Sequence, residues 1–239
     1  MTDYKIITDR EEILKAIKYN PDKLAIASET LRDDREVVFN AVKEGGYTFK
    51  YASDTLKADR EVVLEAVRND GALKYADESL WADREVVLEA IRNEIGPALG
   101  PALEYASDSL KADREVVLEA VRRYGNALEY ASDPLKADRE VVLEAVRHMG
   151  YALQYADDSL KDDGEVVLEA VRNDSTHLAF EYASESIKDD REVVLEAAKI
   201  WGGVLQHVSD TLKADREVVL EAVKKNAWVL RCASEELQI

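Results

Sequence analysis

Apolar and polar positions along this chain follow one short pattern that returns again and again. In the stretch Arg60 to Arg68, plotted at 100° per residue, Val62, Val63, Leu64, Ala66 and Val67 fall on an arc of roughly 200°, leaving Glu61, Glu65 and Arg68 on a narrow polar ridge. An ordinary surface helix carries a narrower apolar stripe, so this one is expected to be flanked by like helices on both sides. The same words recur as Leu56 to Arg68, Leu110 to Arg122, Leu135 to Arg147 and Leu212 to Lys224. Aligned on the acidic residue that opens each copy, the series runs Asp9, Asp34, Asp59, Asp83, Asp113, Asp138, Asp163, Asp190 and Asp215. Successive spacings are 25, 25, 24, 30, 25, 25, 27 and 25, so nine copies with a 25-residue period fill residues 1–239 as a single repeat domain.

Each copy predicts two helices. The opening Asp is placed to accept from the free amides of a first turn, as an N-cap. A glycine often follows the first helix (Gly46, Gly71, Gly125, Gly150, Gly202), which predicts a C-terminal cap in the left-handed region. Next comes Ala-Leu-x-Tyr-Ala-Ser, as at Ala127 to Ser132. Pro134 closely follows that Ser, where a continuing helix interior would lose a hydrogen bond and clash. The second helix is therefore expected to be short and to end near Ala131-Ser132, with a separate turn starting on Ser132 or Asp133 and carrying Pro134 in its first turn. Neither helix can bury its apolar face alone, so the copies must stack on one another. The fold class expected is all-α, a right-handed α-solenoid of about nine two-helix repeats.

Three irregularities interrupt the pattern. Ile95 to Leu103 carries a five-residue excess with Pro97 and Pro101, expected to disturb the stacking. Asn173 to Glu181 carries two extra residues. Gly164 stands where every other copy has Arg, removing a charge and adding backbone freedom at a helix start. The ends are unusual as well: the first copy begins near Ile6, in the slot of Leu56, and the last stops at Ser234 to Ile239 without an evidently polar cap. Arrays usually need caps, so an excerpt of a longer array, or ends covered by a partner or another copy, are the expected explanations.

The wording Asp-Arg-Glu-Val-Val-Leu-Glu-Ala-Val with Ala-Leu-x-Tyr-Ala-Ser-x-x-Leu, as at Asp138 to Val146 and Ala127 to Leu135, resembles a widespread repeat family known only as a domain of unknown function. The first copy departs most, with Ile26 in the Tyr slot and Pro21 near the turn; His207 and Cys232 also replace that Tyr. The resemblance implies a helical repeat and brings no activity or catalytic residue with it.

Composition narrows the partners. Fifty acidic against 32 basic residues give a formal net charge of −18, a field that repels phosphate backbones and anionic headgroups. Nucleic acid and membrane surfaces are thus disfavoured, and a protein partner is favoured, a basic one above all. One cysteine, Cys232, cannot form an internal disulfide, which fits a reducing compartment. With no secretory signal and no run of membrane-spanning length, a cytoplasmic location is expected, an organelle-targeting peptide removed beforehand being the alternative.

Candidate chemistry is sparse. His148, His177 and His207 lie in different copies, without the close ligand pair a zinc site uses. Carboxylate pairs such as Glu61 with Glu65, or Glu140 with Glu144, recur in nearly every copy, whereas acid/base catalysis needs two carboxyls in unlike environments. They read as a repeated solvated face, with Arg68 and its equivalents pairing at i,i+3. The Gly96 to Pro101 segment lacks the Gly-Lys-Ser/Thr ending of a phosphate loop. No catalytic residue, cofactor or metal is expected, and the protein is not expected to be an enzyme.

Variation collects at the turn after the first helix, while the helix itself barely changes. Tyr124, His148, Met149, Tyr151, Trp201 and Trp228 sit there and are the candidate partner-binding residues; large aromatics are enriched where binding energy concentrates. Turns that little constrains would vary in the same way. The function expected is a non-enzymatic protein-interaction scaffold. The alternative is a structural spacer or linker subunit of a larger assembly, touching its neighbours, or further copies end to end, through uncapped ends.

Overall fold

The computed structural model describes residues 6–70, 73–94 and 101–238. Within them, nine long helices follow one another: α1 (Arg10–Ile17), α2 (Arg35–Glu44), α3 (Arg60–Asp70), α4 (Arg84–Arg92), α5 (Arg114–Arg123), α6 (Arg139–His148), α7 (Gly164–Arg172), α8 (Arg191–Ile200) and α9 (Arg216–Lys225). No strand is formed among the described residues; one isolated bridge joins Ile7 and Ala27. This is the all-α repeat solenoid expected from the sequence.

The copy opening at Asp138 shows how the unit is made. The Asp138 carboxylate accepts from the amides of Glu140 and Val141, satisfying two donors that the first turn of α6 leaves open. Asp34, Asp59, Asp83, Asp113, Asp163, Asp190 and Asp215 do the same for their helices. Helix α6 stops at Met149, whose extended backbone (φ −154°, ψ 101°) turns the chain into the 3-10 helix Gly150–Tyr155. A four-residue helix, Asp158–Lys161, follows on Asp157 and leads to the next opening Asp. The expected second helix is thus a 3-10 helix, with Ala102–Tyr105 an α-helical exception. The separate turn inferred from Pro134 is the helix Asp133–Lys136, which starts after Ser132 with the proline in its first turn, although the Ser132 hydroxyl makes no capping bond.

The glycines correct one expectation. None of Gly125, Gly150 and Gly202 adopts the left-handed conformation. Each opens a 3-10 helix, and a Cβ there would lie 2.4, 2.1 and 2.2 Å from the carbonyl oxygens of Ala145, Ala170 and Ala222, near the C-terminus of the following long helix. Glycine is needed because two backbones of successive copies meet, and not because of its dihedral freedom. Gly71 lies outside the described residues, as does most of the Ile95 to Leu103 insertion.

Contacts group the chain into two compact units, Met1–Ala120 and Val121–Ile239. In the first, α1 to α4 pack consecutively; in the second, α6 to α9 do. Val62, Val63, Leu64, Ala66 and Val67 are all buried, as the wide apolar arc requires, and Leu103, Leu128, Leu153 and Leu205 of the second elements fill the other side of the core. Fully burying one such side chain contributes roughly 1.5–3 kcal/mol. A backbone hydrogen bond ties neighbouring copies together at nearly every junction, for example Ser53 N–H to Arg32 O and Asp157 N–H to Lys136 O, both at 2.9 Å.

Candidate binding edges

The long helices present two contrasting edges. At their N-terminal ends runs a ladder of arginines. Arg139 lays Nε 2.8 Å from Asp163 Oδ2 and Nη2 2.5 Å from Glu165 Oε2, so that one guanidinium spans the cap and the next acid of the following copy. Arg10, Arg35, Arg60, Arg84 and Arg191 repeat the arrangement. The opening Asp therefore holds its own helix and receives the preceding copy's arginine. Arg84 reaches Asp113 and Glu115 across the 30-residue spacing, so the ladder continues past the insertion. The guanidinium of Arg10, Arg60 or Arg191 holds Asp34, Asp83 or Asp215 below the usual carboxylate range. For Asp59, Asp113 and Asp163 burial pushes upward, but the arginine and the backbone amides outweigh it.

A second row runs further along the helices. Arg68 bonds Glu89 at 3.4 Å, Arg122 bonds Glu144 at 3.2 Å and Arg147 approaches Glu169 at 3.6 Å, all between copies. Pairing at i,i+3 within one helix also occurs, as with Arg147 and Glu144. The ridge that reads as a solvated face in the sequence is in large part a set of inter-copy clamps. The ladder's signal in the sequence is the Arg between the opening Asp and Glu in every copy but one.

At the C-terminal ends lies the variable edge. In the second unit Tyr124 and His148 approach edge to face, ring centroids 6.3 Å apart. His148 Nδ1 accepts from the Gly125 amide at 3.3 Å, and Met149 packs against the same glycine. Tyr124, His148 and Met149 thus form one cluster. Trp201 anchors another: His177 stacks on it at 5.2 Å with planes 8° apart, and His207 lies 6.2 Å away. His177 holds a left-handed backbone, φ 63°, and the Trp201 ring lies over Gly203, where a Cβ would come within 2.0 Å of it. Tyr151 is half-buried in its turn, and Trp228 stands apart, 79% exposed. Trp81 is half-buried, its ring centroid 6.0 Å from that of Tyr105.

Two members of this edge escaped the sequence reading. Glu94 and Asp174 are buried and sit in the column of Tyr124, Met149 and Trp201. The Glu94 carboxylate accepts from the Ala102 amide, and Asp174 from Ala179 N–H at 2.6 Å and from Thr176. Burial pushes the Asp174 carboxyl up, but those donors hold it below the usual range. Each acid precedes an insertion and bonds a backbone amide beyond it. Part of this column's variation is therefore capping chemistry.

Among the described residues no three of His, Cys, Asp and Glu converge as metal ligands, and no helix is long and apolar enough to cross a membrane. A family model described as "Domain of unknown function (DUF4116)" matches six times, at residues 9–57, 59–95, 99–136, 138–188, 165–213 and 190–238. No curated protein and no solved structure matches the chain.

Proposed function

Because the chain belongs to the DUF4116 family, met here as a stack of helical repeats, we propose that it is a non-enzymatic scaffold that binds a protein partner through the variable edge. The observation that carries this reading is the clustering of Tyr124 with His148 and Met149, and of Trp201 with two histidines, at the one edge where copies differ. Rings held in place by neighbours lose little freedom on binding, and aromatic anchors commonly dominate interface energies. The ladder and the buried valines hold the shape, while the edge supplies contacts. The net charge of −18 favours a partner with basic surface.

Affinity capture from the native source with the full chain, run beside Tyr124→Ala and Trp201→Ala, tests it. Expected is a protein retained by the unaltered chain and depleted at least about tenfold by either change, the usual weight of an interface anchor. Equal retention by all three chains contradicts the edge. The spacer reading is supported by Leu220, 49% exposed where its equivalents in the other copies are buried or half-buried. Size measured at several concentrations separates the two, since only the spacer requires association through that face.

A further inference from the structure

Among the described residues the arginine ladder has a gap at Gly164. Gly164 takes the arginine slot of its copy, so Asp190 and Glu192 of the next copy receive no guanidinium among the described residues. The rungs on either side are complete: Arg139 on Asp163 and Glu165, Arg191 on Asp215 and Glu217 at 2.8 and 2.6 Å. Between them opens a cleft of about 630 Å³ whose walls include Gly164, Leu168, Glu192, Val193 and Glu196. Burial changes with it. Asp190 is exposed, whereas its equivalents from Asp34 to Asp215 are half-buried; Val193 is half-buried, whereas its equivalents from Val37 to Val218 are buried.

We propose that this cleft is a binding site for an arginine side chain of a protein partner, which completes the ladder from outside. Three features of the site argue for it. The Asp190 carboxylate is already fixed by the amides of Glu192 and Val193, at 2.9 and 3.1 Å, so little ordering remains to be done on binding. The same pair of acids holds a guanidinium by Nε and Nη2 in the flanking rungs, a forked geometry that a lysine ammonium cannot match. Val193 and Leu168 offer an apolar wall for the aliphatic stem. The site lies at the opposite ends of α7 and α8 from the aromatic edge and stands on observations separate from it, so either can fail alone.

The test uses the full chain, titrated with acetyl-Gly-Arg-Gly-amide and its lysine counterpart while amide shifts are followed by NMR. Expected are saturable shifts centred on residues 163–168 and 190–196, with arginine favoured over lysine by at least about fivefold. Gly164→Arg, which supplies the missing rung from within once Val193 shifts to admit the new Cβ, 2.8 Å from its Cγ2, is expected to weaken the peptide at least about tenfold. Glu192→Gln, which leaves the backbone untouched, is expected to weaken it comparably. Equal binding of both peptides, undiminished binding by either variant, or no saturable shifts at these helices overturns the proposal.

Discussion

An added methyl at Gly150 would sit 2.1 Å from the Ala170 carbonyl and 2.6 Å from the Asp174 side chain. Gly150→Ala is therefore expected to destabilise the fold by about 1–3 kcal/mol through forced separation of two backbones, read as a lower urea midpoint. Gly45→Ala, whose new Cβ meets the ring of Tyr47 rather than backbone, is expected to cost less. The sequence marked Gly150 and its equivalents Gly125 and Gly202 as special but suggested the wrong cause, because a left-handed cap and a close approach leave the same letter. His207 gives a second test. Burial in a tyrosine slot lowers its imidazole pKa below the ordinary value, with Lys188 and Lys213 adding to the effect and Glu181 opposing it. Folding thus favours the neutral form, so its contribution is complete above about pH 6.5 and is lost as pH falls through the lower folded value. His207→Tyr is expected to flatten the fall in stability below about pH 6.5; an unchanged slope there assigns the effect to other groups.

At the scale of an element, each long helix depends on an aspartate with two duties. Asp215 caps α9 through the amides of Glu217 and Val218 and takes the guanidinium of Arg191. Asp215→Ala is expected to cost about 1 kcal/mol from the lost cap, whereas Asp215→Asn keeps the capping oxygen and loses the charge. The folded pKa of this carboxyl is depressed, so its stabilisation is present above the ordinary carboxylate value near pH 4 and disappears as pH falls below it. The difference in urea midpoint between pH 7 and pH 3 is accordingly expected to be smaller for Asp215→Asn than for the unaltered chain. Equal differences would remove the ladder from the acid response. The capping role was legible in the sequence, since a polar opener before an apolar run points to it. The bridge to the next copy was not, because an arginine on a helix gives no sign of which neighbour it reaches. The second element was legible in length and boundary through Pro134, but its 3-10 winding was not, since six residues with one buried leucine suit either helix.

Across the whole chain, what repeats and what varies do different work. The recurring valines are buried in all but one copy and the leucine that follows them is buried or half-buried except at Leu220, and copies contact chiefly their neighbours, so stability should behave as a sum of local and nearest-neighbour terms. Leu128→Ala, removing a fully buried side chain, is expected to cost about 2–5 kcal/mol and to speed amide exchange mainly in its own and adjoining copies. The period and the apolar arc made that framework readable from sequence alone. The particular features of this chain, the ring clusters at Tyr124 and Trp201 and the open rung at Gly164, depend on which copies lie side by side, so only the folded stack displays them. The most direct measurement is hydrogen exchange on the full chain with and without the partner recovered by affinity capture. Slowed exchange at the turns around Tyr124, Met149 to Tyr151 and Trp201 to Gly203 is the expected result. Protection confined to α9 around Leu220, with those turns unchanged, would contradict a scaffold that binds through its variable edge.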